Sequence, residues 1–106
     1  MNPISKAEEL VLLAIWRLEN EADGVTIRRQ IRKDMGKDYT YGTLYGLLRQ
    51  MDHKGYIKKI KQDPLPKKGG RSKFHFKITP AGIQALKDAL ELHKRIWKDI
   101  TNYSFD

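Results

Sequence analysis

The sequence predicts a mainly α fold with a small β-hairpin (α+β): three helices, the hairpin, and one further helix. Three observations carry that order. Apolar residues recur at helical spacing as far as Met51. Between Tyr56 and Ile78 the period drops from about 3.6 residues to about 2 on either side of a loop holding two prolines and two glycines. Helical spacing returns behind Thr79-Pro80. A chain of 106 residues suffices for one core and not two.

Each element carries its own start and stop signals. Ser5 with Glu8 three residues on reads as a capping box, and Leu10, Leu13, Ala14, Trp16 and Leu18 follow at helical spacing, which places the first helix at 6–20. Val11, Leu12 and Ile15 fill its other side, so it is expected to be buried from more than one direction, a second subunit included. Asp23-Gly24 makes a turn and Thr26 is the expected cap of the second helix, with Ile27, Ile31 and Met35 inward and Arg28, Arg29, Arg32 and Lys33 outward. Asp34, Glu19 and Glu21 are placed to offset those cations. Gly36 ends this helix. Thr40 opens the third, whose buried stripe is Leu44, Leu47, Leu48 and Met51, and Gly55 stops it.

The strands are Tyr56–Lys61 and Lys73–Ile78, with Phe74, Phe76 and Ile78 on one face. Thr79 as N-cap and Pro80 in the first turn open the last helix. This order is that of a winged helix-turn-helix domain over residues 1–79, with a recognition helix at about 40–54 and a wing within 57–78. Residues 80–106 add a C-terminal dimerisation helix and tail.

Charge supplies the functional signal. Residues 53–77 hold nine Lys/Arg (Lys54, Lys58, Lys59, Lys61, Lys67, Lys68, Arg71, Lys73, Lys77) against Asp63, a sum of +8 that equals the formal charge of the whole chain. A hairpin so charged is a footprint for a polyanion, double-stranded DNA first. The bland alternative is a solvated face, which the missing acids argue against. In helix-turn-helix docking the N-terminal half of the recognition helix enters a major groove. Tyr41, Thr43, Tyr45 and Arg49 then face the duplex, Thr43 to a thymine methyl or a phosphate, the tyrosine hydroxyls and Arg49 to the backbone. Tyr41 or Tyr45 packing on the second helix is the competing reading. Few of these side chains suit bidentate base contacts, so half-site spacing and DNA shape carry much of the discrimination. Lys67, Lys68, Arg71 and Lys73 flank or enter the minor groove.

In the last helix Ile83, Leu86, Leu90, His93, Trp97 and Ile100 form a heptad seam, beside a second stripe of Ala85, Ala89, Leu92 and Ile96. One stripe is expected on the first helix and the other on a partner, with Leu86, Leu90, His93, Trp97 and Ile100 at a homodimer interface.

Other classes lack their parts. The composition, 40 % apolar and 32 % charged, is that of an ordinary folded domain. Without cysteine there is neither a disulfide framework nor a thiolate metal site, and a reducing, cytoplasmic setting is expected. His53, His75 and His93 lack metal-ligand spacing. The seven-residue run Leu10–Trp16 is too short for a membrane span. No nucleophile motif or phosphate loop argues for an enzyme or a cofactor. Two non-enzymatic alternatives stand beside a sequence-specific DNA binder: a protein-interaction module whose basic hairpin meets an acidic partner, and a non-specific nucleic-acid binder.

The chain also resembles the PadR-like transcriptional regulators, through Glu9–Ile15, Asp23-Gly24-Val25-Thr26-Ile27, Tyr41-Gly42-Thr43-Leu44-Tyr45, Lys54-Gly55-Tyr56-Ile57, Gly69-Gly70-Arg71 and Ile78-Thr79-Pro80-Ala81-Gly82. Its short tail is similar to the smaller, single-helix branch. It departs at Gly46, at Arg71-Ser72-Lys73 and at Phe74-His75-Phe76. The resemblance implies a homodimeric, ligand-responsive DNA-binding repressor. It also implies a pocket for a flat aromatic effector between the C-terminal helices and the first helix, lined by Leu13, Trp16, His93 and Trp97. Plain dimer core is the alternative reading of those four residues.

Overall fold

A computed structural model describes residues 3–19, 22–62 and 73–100, the side chains of Gln62 and Lys73 excepted. The elements follow the expected order: α1 (Lys6–Leu18), α2 (Gly24–Met35), α3 (Tyr41–His53), β1 (Ile57–Gln62), β2 (Lys73–Ile78) and α4 (Pro80–Ile96).

The capping box of α1 is formed. Ser5 Oγ accepts from the Glu8 amide at 3.1 Å, and Glu8 Oε1 accepts from the Ser5 amide at 2.9 Å. The second Glu8 oxygen lies 2.8 Å from Lys54 Nζ, just past the end of α3, so one buried carboxylate caps its own helix and ties it to another. Burial pushes the Glu8 carboxyl up, but the hydrogen bond and charge of Lys54, with the Ser5 amide and hydroxyl, outweigh it and hold Glu8 below the usual carboxylate range. The same hydrogen bond lifts Lys54 above its ordinary value. Helix α1 threads the middle of the core, where Val11, Leu12, Ala14 and Ile15 are buried.

Helix α2 opens earlier than the sequence suggests. Asp23, not Thr26, is the N-cap: its carboxylate accepts from the Thr26 amide at 2.8 Å while the Thr26 hydroxyl accepts from the Asp23 amide at 2.9 Å. Thr26 is thus the third helical residue of a reciprocal box. Ile27 and Ile31 are buried, and Gly36 closes the helix in the left-handed conformation at φ 67°. Thr40 caps α3 as expected, and Leu44, Leu48 and Met51 are its buried stripe, with Leu47 half-buried.

In the antiparallel hairpin Ile57 faces Ile78, Lys59 faces Phe76 and Lys61 faces Phe74, while Lys58–Lys77 and Ile60–His75 lie on the opposite face. Ile57 and Phe76 close the core. The Phe76 amide reaches past the hairpin to the Ala22 carbonyl at 2.8 Å, joining β2 to the α1–α2 link.

Helix α4 starts against the corner between α3 and β1. The Thr79 amide donates to the Tyr56 carbonyl at 3.0 Å and the Thr79 hydroxyl to the Gly55 carbonyl at 2.6 Å. Gly82 lies so near this corner that a Cβ would come within 2.7 Å of Ile78 Cγ1 and collide with the Tyr56 carbonyl. The two apolar stripes of α4 separate along the helix rather than around it. Ala85 and Leu86 pack, half-buried, on the chain's own core, whereas residues 90–100 are all exposed. The helix also ends at Ile96 with Trp97 as C-cap, so the seam reaches Trp97 and Ile100 only beyond the last helical turn.

Glu8→Gln is expected to lower stability by about 1–3 kcal/mol near neutral pH, because a charge-assisted bond to a buried group is lost. Since folding lowers the Glu8 pKa, that contribution is present above the usual carboxylate range and is lost as pH falls through the lowered value. Thermal unfolding of both proteins at about pH 7 and about pH 3 should therefore show the difference shrinking in acid. Gly82→Ala, measured the same way, should cost about 1–3 kcal/mol because backbone must move to admit the methyl group.

Candidate nucleic-acid interface

The outward face of α3 is Tyr41, Gly42, Thr43, Tyr45, Gly46, Arg49 and Gln50, all exposed. Tyr41 and Tyr45 stand one turn apart with ring centroids 6.3 Å apart and planes at 29°. Each also packs on α2, which is the second of the two sequence readings of these residues. The Arg28 guanidinium lies over Tyr41, 4.7 Å from the ring centroid. The Tyr45 hydroxyl lies against Gly24, where an added Cβ would come within 2.8 Å of Cζ. Tyr41 nevertheless remains 42 % and Tyr45 45 % exposed. Thr43 Oγ1 accepts from the Thr40 hydroxyl at 3.0 Å.

The basic row of α2 is balanced differently from the sequence reading. Asp34 pairs with Arg17 of α1 at 3.0 Å and bonds Gln30. It is Asp38, in the α2–α3 turn, that meets Arg32 at 2.8 Å and Arg28 at 3.2 Å. The hydrogen bond and charge of Arg32 hold the Asp38 carboxyl below its usual range. Arg29 and Lys33 make no ion pair among the described residues.

Lys67, Lys68 and Arg71 lie outside the described residues, and Lys73 is described only as the first residue of β2. On the strands, Lys58 sits directly opposite Lys77, a like-charge pair that costs stability in an antiparallel ladder. Lys59, which sequence reasoning did not single out, takes the more telling position. Its ammonium lies 4.0 Å from the Phe74 ring centroid. It also lines two clefts between the hairpin and α3: one of about 340 Å³ with Gly24, Val25, Tyr45, Phe74 and Phe76, and one of about 180 Å³ with Tyr45, Leu48, Arg49 and Asp52. The signal was available, because the alternation that turns Phe76 inward turns Lys59 to the same face.

The four residues expected to line an effector pocket are spread along one chain. Trp16 is 54 % exposed and borders a groove of about 470 Å³ with Ile15, Arg17, Glu19, Lys77 and Ile78. Leu13 is half-buried on α1. His93 and Trp97 stack on each other at 5.4 Å and 24° near the exposed end of α4. The cavity beneath α4, about 290 Å³, is lined instead by Pro3, Ile4, Tyr56, Ala85, Ala89 and Leu92 among others. Among the described residues no group of three or more His, Cys, Asp or Glu is placed to hold a metal ion. No described helix is long and apolar enough to cross a membrane.

The family model for the transcriptional regulator PadR-like family matches residues 12–88, from the core of α1 into α4. The chain belongs to the PadR-like family. This is a family of transcriptional regulators, not of enzymes. Solved structures share the fold. A PadR-like transcription factor from Bacteroides fragilis aligns at TM-score 0.73 and 19 % identity, covering 92 % of this chain and 89 % of that one. A transcriptional regulator from Clostridium thermocellum aligns at 0.71 and 23 %, covering 91 % and 90 %. Bacillus subtilis PadR, solved in complex with operator DNA, aligns at 0.69 and 18 %, covering 81 % of this chain and 47 % of that longer one. No curated protein matches at a significant level.

The Lys58–Lys77 pair yields a stability test of the basic hairpin. Lys58→Glu should raise stability by about 0.2–1 kcal/mol, read as an increase in melting temperature, by converting a repulsive cross-strand pair into an attractive one.

Proposed function

We propose that this PadR-like chain is a homodimeric repressor that binds a palindromic site on double-stranded DNA and is released by a small aromatic ligand. The observation that carries the DNA reading is the union of an exposed recognition face on α3 with a hairpin that keeps a like-charge lysine pair across its ladder. Stability alone disfavours that pair, whereas a polyanion compensates it. The N-terminal half of α3 enters the major groove, with Thr43 at a thymine methyl or a phosphate and the Tyr41 and Tyr45 hydroxyls and Arg49 at the backbone. Lys67, Lys68, Arg71 and Lys73 of the wing hold the adjoining phosphates, and Lys59 stands between the two contact regions. The operator complex of Bacillus subtilis PadR supports this arrangement by fold. Action on DNA also agrees with the expected cytoplasmic location.

Dimerisation rests on the far half of α4, where Leu90 is 53 %, Ile96 68 % and Trp97 50 % exposed. A lone chain has little reason to present so much apolar surface on one helix end. Pairing through Leu90, His93, Trp97 and Ile100 sets the separation of the two recognition helices and buries these residues. It also brings the His93–Trp97 stack of one protomer towards α1 of the other, where Leu13 and Trp16 complete a site for a flat aromatic ligand. Such a ligand favours a dimer whose half-site spacing no longer fits the operator.

Selection from a random duplex pool with the purified protein, followed by anisotropy on the selected and a scrambled duplex at two salt concentrations, tests the reading. Recovery of a palindrome bound in preference to the scramble at both salts is the expected result. A steep salt slope without preference would leave a non-specific binder, and no binding at low salt would favour the acidic-partner alternative. Leu90→Asp should shift the protein towards monomer in light scattering and weaken binding to the palindrome by roughly ten-fold or more, because one half-site then binds alone.

A further inference from the structure

We infer that Arg28 is a positioning residue for specificity: it clamps the Tyr41–Tyr45 pair that α3 presents to DNA, rather than gripping a phosphate itself. The inference rests on the DNA reading above and goes beyond it, since from sequence Arg28 is one of four cations on the outer face of α2, with Arg28 or Arg29 read as a phosphate contact or as part of a solvated face.

The structure sets it apart from the other three. Its Nε donates to the Tyr39 carbonyl at 2.6 Å and its Nη2 to Asp38 Oδ1 at 3.2 Å, so two edges of the fork are fixed by the α2–α3 turn. The guanidinium carbon then lies over the Tyr41 ring, 4.7 Å from its centroid. Arg32 shares Asp38 but has no ring contact, and Arg29 and Lys33 make no ion pair among the described residues. Tyr41 stacks with Tyr45 at 6.3 Å, and the hydroxyl end of Tyr45 meets Gly24. Helix α2 therefore bounds the aromatic pair at both ends, with Arg28 at one and the bare backbone of Gly24 at the other.

Exposed tyrosines on a helix ordinarily sample several rotamers, and fixing them on docking costs entropy. Here that ordering is already present in the chain. It matters because the rest of the α3 face offers few side chains for bidentate base contacts, so the fit of a fixed aromatic pair to the shape of the duplex carries part of the discrimination. A lysine does not replace the clamp, having neither the planar fork that bridges Tyr39 and Asp38 nor a flat face for the ring.

The test uses the full chain, the selected duplex and its scramble over a salt series, with Arg28→Met, Arg28→Lys and Gly24→Ala. Both Arg28 variants should weaken binding to the selected duplex about five- to ten-fold, leave the scramble unchanged, and leave the salt slope unchanged. The Tyr41 and Tyr45 ring resonances should move with them. Gly24→Ala, a favourable helix residue that keeps Arg28 in place, should reproduce the loss by displacing Tyr45 while the fold is retained. Equal loss on both duplexes with a salt slope lower by about 0.9 would make Arg28 a phosphate contact and overturn the inference. So would unchanged ring resonances, which are read without DNA. A wild-type protein with no preference for any duplex would overturn the DNA reading and this inference with it, and the ring resonances would still show whether the clamp exists.

Discussion

Everything in this molecule is referred to one corner, the three residues that carry the chain from α3 into β1. Lys54 reaches the buried Glu8 at the start of α1, and the Gly55 and Tyr56 carbonyls accept from the hydroxyl and amide of Thr79 at the start of α4. Gly55 turns there at φ 80°, a conformation that glycine adopts without steric cost. Helices α1, α3 and α4 and the hairpin thus all have an end within one knot of hydrogen bonds. The apolar core of Leu12, Ile15, Ile27, Ile31, Leu44, Leu48 and Met51 supplies most of the cohesion. The corner supplies the relative placement.

A second constraint is electrostatic. Carboxylates are scarce near the hairpin and are used elsewhere for structure. Glu8 and Asp23 cap helices, Asp34 joins α1 to α2, and Asp38 organises the turn before α3. Among the described residues none of Lys58, Lys59, Lys61 and Lys77 is in an ion pair, and Lys58 and Lys77 face each other across the ladder. A surface evolved only for stability would intersperse the signs.

Local signals made much of the fold legible in the sequence. Ser5, Thr40 and Thr79 cap the helices they were expected to cap, and the alternation through Phe74, Phe76 and Ile78 gives the observed face of β2. The start of α2 was ambiguous for a physical reason: Asp23 and Thr26 both form caps, and in a reciprocal box both are used. What the sequence could not show depended on contacts between distant elements. Helical periodicity puts Arg28 and Arg29 on one face, but only the path of the α2–α3 turn decides that Asp38 and Tyr39 come to Arg28. Periodicity likewise shows two apolar stripes on α4 without showing where the neighbouring core stops. The packing boundary near Leu90 is set by the reach of the other helices.

The tight seat of Gly82 has a mechanical consequence. With no side chain between α4 and the Tyr56 carbonyl, the helix is seated directly on the corner beside the end of α3, and its exposed far half projects from that seat as a lever arm. A helix of 17 residues is about 25 Å long. Tilting such a lever by about ten degrees carries its far end roughly 4 Å, a distance comparable to the rise of one base pair. In the dimer proposed above, a small rotation where two copies meet would thereby be geared into a whole step along a duplex.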